Sequence, residues 1–199
     1  MHKPKTLLEM AGADIRPASF QDACLLLIDC QREYLDGGVI LPGIKAAMAE
    51  ISRLLEAARG NHSPVFHIKH LGRPGGAFDP QRGGCIIDTA APEGNETVIG
   101  KTLPNAFAGT DLAEKIAATG RRQLLVCGFM THMCVSATVR AAIDHGLFST
   151  VIAAATATRD LPGPNGHGIV SAAELQRASL AALADRFCAI AATGADIPA

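Results

Sequence analysis

Six short apolar runs recur along the chain, and they lack the strict alternation of half-exposed strands. Continuous apolar runs of about 4–8 residues are typical of parallel strands that are buried on both faces. The pattern therefore predicts six strands, at Ala23–Asp29, Pro64–Lys69, Thr97–Gly100, Gln123–Cys127, Ser149–Ala154 and Arg186–Ala191.

Between these runs, apolar residues recur every three or four positions, which is the spacing of an amphipathic helix. A capping box formed by Ser171 and Glu174 marks the start of the last such segment. Glycines just past the other three are helix stop signals, and they are Gly60, Gly120 and Gly146. The pattern predicts helices at Ile44–Arg59, Asp111–Thr119, Thr131–His145 and Ser171–Asp185.

Strands that alternate with helices predict an α/β fold, a three-layer Rossmann-like sandwich with helices on both faces of a mostly parallel sheet. With 199 residues the chain is about one domain long, and residues 1–20 are interpreted as an N-terminal arm. The Gly- and Pro-rich stretch Leu71–Glu96 is long for a connection, so we expect it to be functional. Ligands of such sheets bind at the carboxyl ends of the strands.

Composition excludes several classes of protein. Hydrophobic residues make up 48% of the chain and charged residues 19%, which excludes a disordered chain. The net charge of −1 predicts no nucleic-acid partner. No apolar stretch approaches the ~18 residues of a membrane span, and Met1–Gly12 lacks the apolar run of a signal peptide, so we expect no membrane association. Six cysteines without a CxxC pair are typical of reduced thiols, and we expect a cytoplasmic protein.

Phosphate and metal motifs are not supported by the sequence. No GxGxxG follows the first strand, and Gly100-Lys101-Thr102 lacks the first glycine of a P-loop. His67 and His70 are three residues apart on a strand, so their side chains point to opposite faces. We interpret them as one packed and one loop histidine, and we predict neither a metal nor a cofactor.

Three chemically active side chains fall at the carboxyl ends of predicted strands. Asp29 closes the first strand, Lys101 follows another, and Cys134 lies in a strand-to-helix turn for which Thr131 is the predicted N-cap. The helix N-terminus and a nearby lysine would lower the pKa of Cys134 and favour a thiolate. With Asp29 as proton acceptor and donor, the three side chains suffice for attack on a carbonyl.

The same positions allow a purely structural interpretation. Asp29 would then cap a loop, Lys101 would lie at the surface, and Cys134 would be a buried helix thiol.

Four segments resemble the isochorismatase-like cysteine hydrolases, a superfamily that includes nicotinamidase and N-carbamoylsarcosine amidase. They are LLLIDCQREY, VIGKTLPNAFAGTDL, VCGFMTHMCVSATVRAAIDHG and, more weakly, ATATRDLP, and the resemblance runs from about residue 22 to 190. It implies a single hydrolase domain, with Cys134 as nucleophile and Asp29 and Lys101 as its catalytic partners. It further implies a six-stranded parallel sheet of order 3-2-1-4-5-6 and a homodimer or homotetramer.

The resemblance also implies finer details of the site. A cis peptide bond is expected between Phe129 and Met130, where it would aim the backbone N–H groups of Met130 and Cys134 at the substrate oxygen as an oxyanion hole. Side chains that fall within the motifs are candidates for contact with a small-molecule substrate, namely Gln31, Tyr34, Phe107 and His132.

Two departures narrow the expected reaction. The nicotinamidase branch carries an Asp-x-His metal motif soon after the second strand, whereas this chain has His67-Ile-Lys-His70. True isochorismatases lack the cysteine nucleophile, which is present here as Cys134. We therefore expect hydrolysis of a small linear amide or carbamoyl compound through a thioester.

Two alternatives stay open at this point. One is a thiol redox protein that pairs Cys134 with Cys127 or Cys30. The other is an isochorismatase-fold protein without hydrolytic activity.

Overall fold

A six-stranded parallel sheet forms the centre of the computed structural model, which describes residues 3–199. Its strands are β1 (Ala23–Ile28), β2 (Val65–His70), β3 (Thr97–Lys101), β4 (Gln123–Phe129), β5 (Phe148–Ala157) and β8 (Cys188–Ala191). Two-residue strands β6 (Leu161–Pro162) and β7 (Ile169–Val170) form a separate antiparallel pair that the sequence did not predict. The order β3-β2-β1-β4-β5-β8 confirms the predicted sheet, with β8 as its sixth strand.

Helices cover both faces of this sheet, as predicted. They are α1 (Leu7–Met10), α2 (Ile44–Gly60), α3 (Leu112–Ala118), α4 (Ser136–Ala142) and α5 (Ala172–Arg186). One apolar cluster joins α2 to one face, and a second joins α3, α4 and α5 to the other. Leu25 and Leu27 of β1 belong to the first cluster, and Leu26 belongs to the second. This two-sided burial explains the unbroken apolar run of β1, because each fully buried leucine contributes about 1.5–3 kcal/mol.

Several predicted boundaries were wrong. Gly60 is the last residue of α2 rather than a stop signal beyond it. The predicted helix Thr131–His145 is three pieces: a π-helical turn at Thr131–Val135, then α4, then a 3₁₀ turn that ends at Gly146. Gly120 and Gly146 have φ of 74° and 68°, which is the left-handed geometry of a helix end that favours glycine.

The N-terminal arm is anchored to the last helix. Leu8 is buried, and the Leu7 N–H donates to Asp185 Oδ1 at 2.9 Å. Residues 1 and 2 of the predicted arm lie outside the described residues. Among residues 3–199, no helix combines the length and the apolar character that crossing a membrane requires.

Candidate active site

Asp29 occupies the turn that leaves the carboxyl end of β1. Its N–H donates to the Ile68 carbonyl at 2.9 Å, and its φ of 49° is a left-handed conformation that Asp adopts more readily than most residues. The side chain has no solvent exposure. A buried carboxylate is costly unless it is paired, so its partner is the next question.

Lys101 supplies that partner. It is the last residue of β3, and its side chain is as fully buried as that of Asp29. The Nζ atom donates to Asp29 Oδ2 at 2.7 Å and to Cys134 Sγ at 3.4 Å. The structure thus brings Asp29, Lys101 and Cys134 together, and the surface interpretation of Lys101 is wrong.

Cys134 lies in the π-helical turn between β4 and α4. The Val135 N–H donates to the Met130 carbonyl at 3.3 Å, which is the i→i+5 bond of such a turn. The prediction of Thr131 as N-cap is wrong, because its hydroxyl instead donates to the Ala157 carbonyl at 3.0 Å. The turn is therefore fixed to the end of β5.

Close contact between β4 and β1 places this turn beside Asp29. Gly128 has φ 111°, and a Cβ atom there would lie 2.0 Å from the Ile28 carbonyl oxygen, so only glycine fits. The next peptide bond, between Phe129 and Met130, is cis. Among the described residues, no carbonyl or side chain accepts a hydrogen bond from the Met130 N–H.

The protonation state of Cys134 differs from the expectation. Burial, and then the Asp29 charge, raise the pKa of Cys134 to about 12, and the Lys101 charge only partly opposes them. The predicted lowering of this pKa is wrong, because desolvation outweighs the cation. Cys134 therefore rests as a neutral thiol with 5% of its surface exposed.

Asp29 is poised to take that thiol proton. Burial raises the pKa of Asp29, although Lys101 favours its charged form. Its Oδ1 atom is buried and has no hydrogen-bond partner among the described residues. In its charged form, which Lys101 favours, this carboxylate has one oxygen available to accept a proton from Cys134.

Two aromatic residues, Tyr34 and Phe107, were predicted to contact the substrate. The Tyr34 ring packs edge-on at 5.8 Å from Phe129, and burial together with the charges of Asp29 and Cys134 raises the pKa of Tyr34. Phe107 belongs to the same apolar cluster as Cys134 and stacks on His145 at 4.6 Å. Substrate contact by either ring stays a prediction.

Gln31 has a visible structural role. Its side-chain amide donates to the His70 and Gly84 carbonyls, both at 2.9 Å, and accepts from the His70 N–H at 2.7 Å. Both amide protons are thus used, and the side chain ties the 71–96 excursion to β2. The geometry favours an anchoring role over the predicted substrate contact.

Within residues 3–199, no histidine hydrogen bonds to Cys134, whose side chain accepts from Lys101. The Nδ1 atom of His132 hydrogen bonds to the Thr158 hydroxyl, and burial lowers the pKa of His132. Contact of His132 with substrate stays a prediction.

His67 and His70 lie on β2. His67 is packed as predicted, with Nε2 at 2.8 Å from Glu96 Oε2, whereas the loop assignment of His70 is wrong because it is the last residue of the strand. Within residues 3–199, no three His, Cys, Asp or Glu side chains cluster closely enough to hold a metal.

Sequence reasoning missed Arg159, although it lies in the ATATRDLP segment. Its Nε atom is buried and has no partner among the described residues. Its charge helps to lower the pKa of His132 and opposes the raised pKa of Tyr34. By contrast, Arg73 and Arg82 of the 71–96 excursion are exposed.

Comparison with known proteins leads to the same group as the motifs. The isochorismatase domain family matches residues 23–195. The crystal structure of an isochorismatase from Pseudomonas putida KT2440 has a TM-score of 0.93 and 42% identity, covering 98% of this chain and 100% of that one. The secreted isochorismatase effector Isc1 of Verticillium dahliae is 35% identical over 180 residues, which are 89% of this chain and 92% of the effector.

A further relative carries the name of an enzyme. A streptothricin hydrolase of Streptomyces noursei is 33% identical over 176 residues, which are 87% of this chain and 68% of that protein. Because the isochorismatase match spans most of the chain and these relatives agree with it, the protein belongs to the isochorismatase family of hydrolases.

Proposed function

We propose that this protein hydrolyses the C–N bond of a small linear amide or carbamoyl compound through a thioester on Cys134. The observation that carries the proposal is the position of Lys101 Nζ, 2.7 Å from Asp29 Oδ2 and 3.4 Å from Cys134 Sγ, with Asp29 Oδ1 left unpaired. This arrangement combines a nucleophile, a base and a cation that have little or no solvent exposure.

The first half of the reaction forms the thioester. As Cys134 Sγ bonds to the amide carbon, its proton passes to Asp29, which the unpaired Oδ1 favours. The carbonyl oxygen becomes an oxyanion, for which the unpaired Met130 N–H and the Cys134 N–H are the proposed donors. The C–N bond then breaks, and Asp29 returns the proton to the departing ammonia or amine.

The second half releases the acid. Asp29 takes a proton from water as the water oxygen attacks the thioester carbon. The C–S bond breaks, the proton passes from Asp29 to the sulfur, and Cys134 is again a thiol. Lys101 keeps its charge throughout and balances the negative charge that moves between Asp29 and the substrate.

Arg159 favours a substrate that carries a carboxylate. Arg159 is half-buried, and its buried Nε, which has no partner among the described residues, offers a charged hydrogen bond that an anionic group can complete. A related protein agrees with this chemistry: maleamate amidohydrolase of Pseudomonas putida is 30% identical over 146 residues, which are 64% of this chain and 68% of that protein. The proposed substrate class is therefore the amides of small carboxylic acids that retain a free carboxylate.

An ammonia-release screen tests the proposal. The panel holds neutral amides, nicotinamide, carbamoyl and ureido acids, and monoamides of dicarboxylic acids, with Cys134→Ala as the matched inactive control. We expect release from at least one compound by the wild type and none by Cys134→Ala. Equal release by both proteins on an established substrate would rule out Cys134 as nucleophile.

The carboxylate preference has a separate test. For a substrate with a carboxylate, Arg159→Met should raise KM by about 10- to 100-fold, since a hydrogen bond to a charged group contributes about 1.5–3 kcal/mol. The exposed Arg82→Met serves as control. An equal KM change for a neutral amide would remove Arg159 from carboxylate recognition.

No observation favours the redox alternative. Cys30 and Cys127 lie in the apolar cluster on the α2 face of the sheet, whereas Cys134 lies in the cluster on the opposite face. Burial raises the pKa of both Cys30 and Cys127, and each donates to a backbone carbonyl, whereas Cys134 accepts a hydrogen bond from Lys101. A cytoplasmic location and a homodimer or homotetramer stay predictions, and light scattering decides the second.

A further inference from the structure

Phe78 reaches the site from the 71–96 excursion. Its ring packs edge-on against Tyr34 at 5.2 Å between centroids and against His70 at 5.1 Å. Both of these neighbours lie next to the site, because His70 is the strand partner of Lys101 and the Tyr34 ring packs 5.8 Å from that of Phe129, the residue before Met130. Phe78 is only half-buried, and it is joined to the site through these two side chains.

The backbone of Phe78 is held in an unusual conformation. Its φ is 56°, a left-handed geometry that is uncommon for a bulky residue. Two glycines leave room for it: a Cβ on Gly72 would lie 2.7 Å from the Phe78 carbonyl oxygen, and one on Gly84 would lie 2.4 Å from the same atom. The surrounding chain thus determines where this ring lies.

Glu33 fixes the same segment through a buried carboxylate. Its Oε2 accepts from the Phe78 N–H at 3.2 Å, and its Oε1 accepts from the Gly38 N–H at 2.9 Å. The side chain fills the space above Gly83, where a Cβ would lie 2.0 Å from Oε2. Glu33 is 6% exposed and makes no ion pair among the described residues, so its hydrogen bonds go to this excursion and to its own loop.

We propose that Phe78 forms a fixed wall of the pocket above Asp29 and Cys134, which limits the size of the acyl group that reaches the thiol, and that Glu33 is its positioning residue. The proposal deepens the proposed function, because a rigid aromatic wall restricts the substrate class to short acyl groups. An aromatic ring that is held in place in a pocket selects substrates by size, because a larger substrate can bind only if the ring is displaced.

Alkylation of Cys134 measures how well reagents of different size reach the thiol, and it does not require a substrate that the enzyme turns over. Wild type, Phe78→Ala and Phe78→Leu are treated with iodoacetamide and with its bulkier N-phenyl derivative, and the rate at the Cys134 peptide is followed by mass spectrometry. The readout is the rate of alkylation by the bulky reagent divided by the rate of alkylation by the small one. Phe148→Ala is the matched control, since Phe148 is also half-buried but is the first residue of β5, at the amino ends of the strands rather than at the carboxyl ends where the site lies.

We expect Phe78→Ala to raise this ratio about tenfold, because one lost contact in an apolar pocket is worth about that factor. Phe78→Leu should give an intermediate ratio, and it carries the test if Phe78→Ala does not fold. Phe148→Ala should keep the wild-type ratio. An unchanged ratio in a folded Phe78 variant would contradict the proposal that Phe78 limits access to Cys134.

Glu33→Gln tests the positioning role. The amide removes one acceptor and turns a donor toward the backbone, so the ratio should rise in the same direction as in Phe78→Ala, by a smaller factor. A purely structural Glu33 would lower the melting temperature and leave the ratio unchanged, which overturns its part of the proposal. If the ratios shift as expected but no amide is hydrolysed, the proposed function fails while the wall stands.

Discussion

Two carboxylates make ion pairs near the two ends of β3, and their surroundings differ: the side chain of Glu96 is 12% exposed, whereas that of Asp29 is fully buried. Glu96 immediately precedes the strand and lies 2.8 Å both from Arg59 Nε and from His67 Nε2. Asp29 meets the other end through Lys101. Both pairs join β3 to neighbouring elements, yet only the second includes a nucleophile.

The difference lies in how fully each carboxylate is hydrogen bonded. Both oxygens of Glu96 accept hydrogen bonds, and although burial alone would raise the pKa of Glu96, bonds from Arg59, the Glu93 N–H and His67 lower it to about 2. Among the described residues, Asp29 Oδ1 has no hydrogen-bond partner, and burial raises the pKa of Asp29. A carboxylate whose oxygens all accept hydrogen bonds stabilises the fold, whereas one with a free oxygen can still accept and donate a proton.

The largest effect is expected from Asp29→Asn. An amide cannot accept the Cys134 proton, so kcat/KM should fall by about 10²- to 10⁴-fold on the substrate found by ammonia release. Glu96→Gln is the matched control and should retain wild-type turnover. Comparable losses of kcat/KM in the two variants would show that the two carboxylates do not differ in their role in turnover.

Lys101→Met should give the next largest effect. It leaves the Asp29 carboxylate buried without a cation, so the free energy of unfolding should fall by about 3 kcal/mol in urea denaturation. Lys115→Met removes an exposed lysine from its 3.3 Å pair with Asp111, and it should cost less than about 1 kcal/mol. Similar costs for both lysines would show that the buried pair is not strongly coupled.

Glu96→Gln should lower the free energy of unfolding by about 2 kcal/mol, since its hydrogen bonds involve charged groups. Because the pKa of Glu96 is lowered from 4.5 to about 2, its contribution is complete above pH 4.5 and is lost as pH falls toward 2. Urea titrations at several pH values should show wild type and variant converging over that interval. A constant gap would contradict the lowered pKa.

The smallest effect is expected from Glu93→Gln. Its side chain is 69% exposed and pairs with Arg59 Nη1 at 2.7 Å, so its loss should cost less than about 1 kcal/mol. This variant removes the exposed Arg59–Glu93 pair and leaves the less exposed Arg59–Glu96 pair in place. A cost equal to that of Glu96→Gln would show that burial does not decide the strength of these bonds.

Much of the fold could be predicted because its signals are local. The apolar runs of β1 and β4 must be buried on both faces, which indicates a parallel sheet covered by helices. Helix ends were predicted less well where tertiary contacts override local preference. The Thr131 hydroxyl, a good N-cap by residue type, bonds instead to the Ala157 carbonyl and helps to fix a π-helical turn.

The site divides in the same way. The positions of Asp29, Lys101 and Cys134 after strands placed them at one edge of the sheet, and the resemblance assigned their roles. The anchoring role of Gln31 and the unpaired Nε of Arg159 depend on groups far away in the chain, such as the Gly84 carbonyl. No local pattern carries that information.

By itself, the sequence determined the α/β order, the group of chemically active side chains and the family to which they belong. Only the tertiary structure decided that Cys134 rests as a thiol, that Asp29 Oδ1 has no partner among the described residues, and that Phe78 packs against Tyr34. The physical reason is that protonation and hydrogen-bond saturation depend on desolvation and on neighbours in space, whereas strand and helix patterns depend on neighbours along the chain.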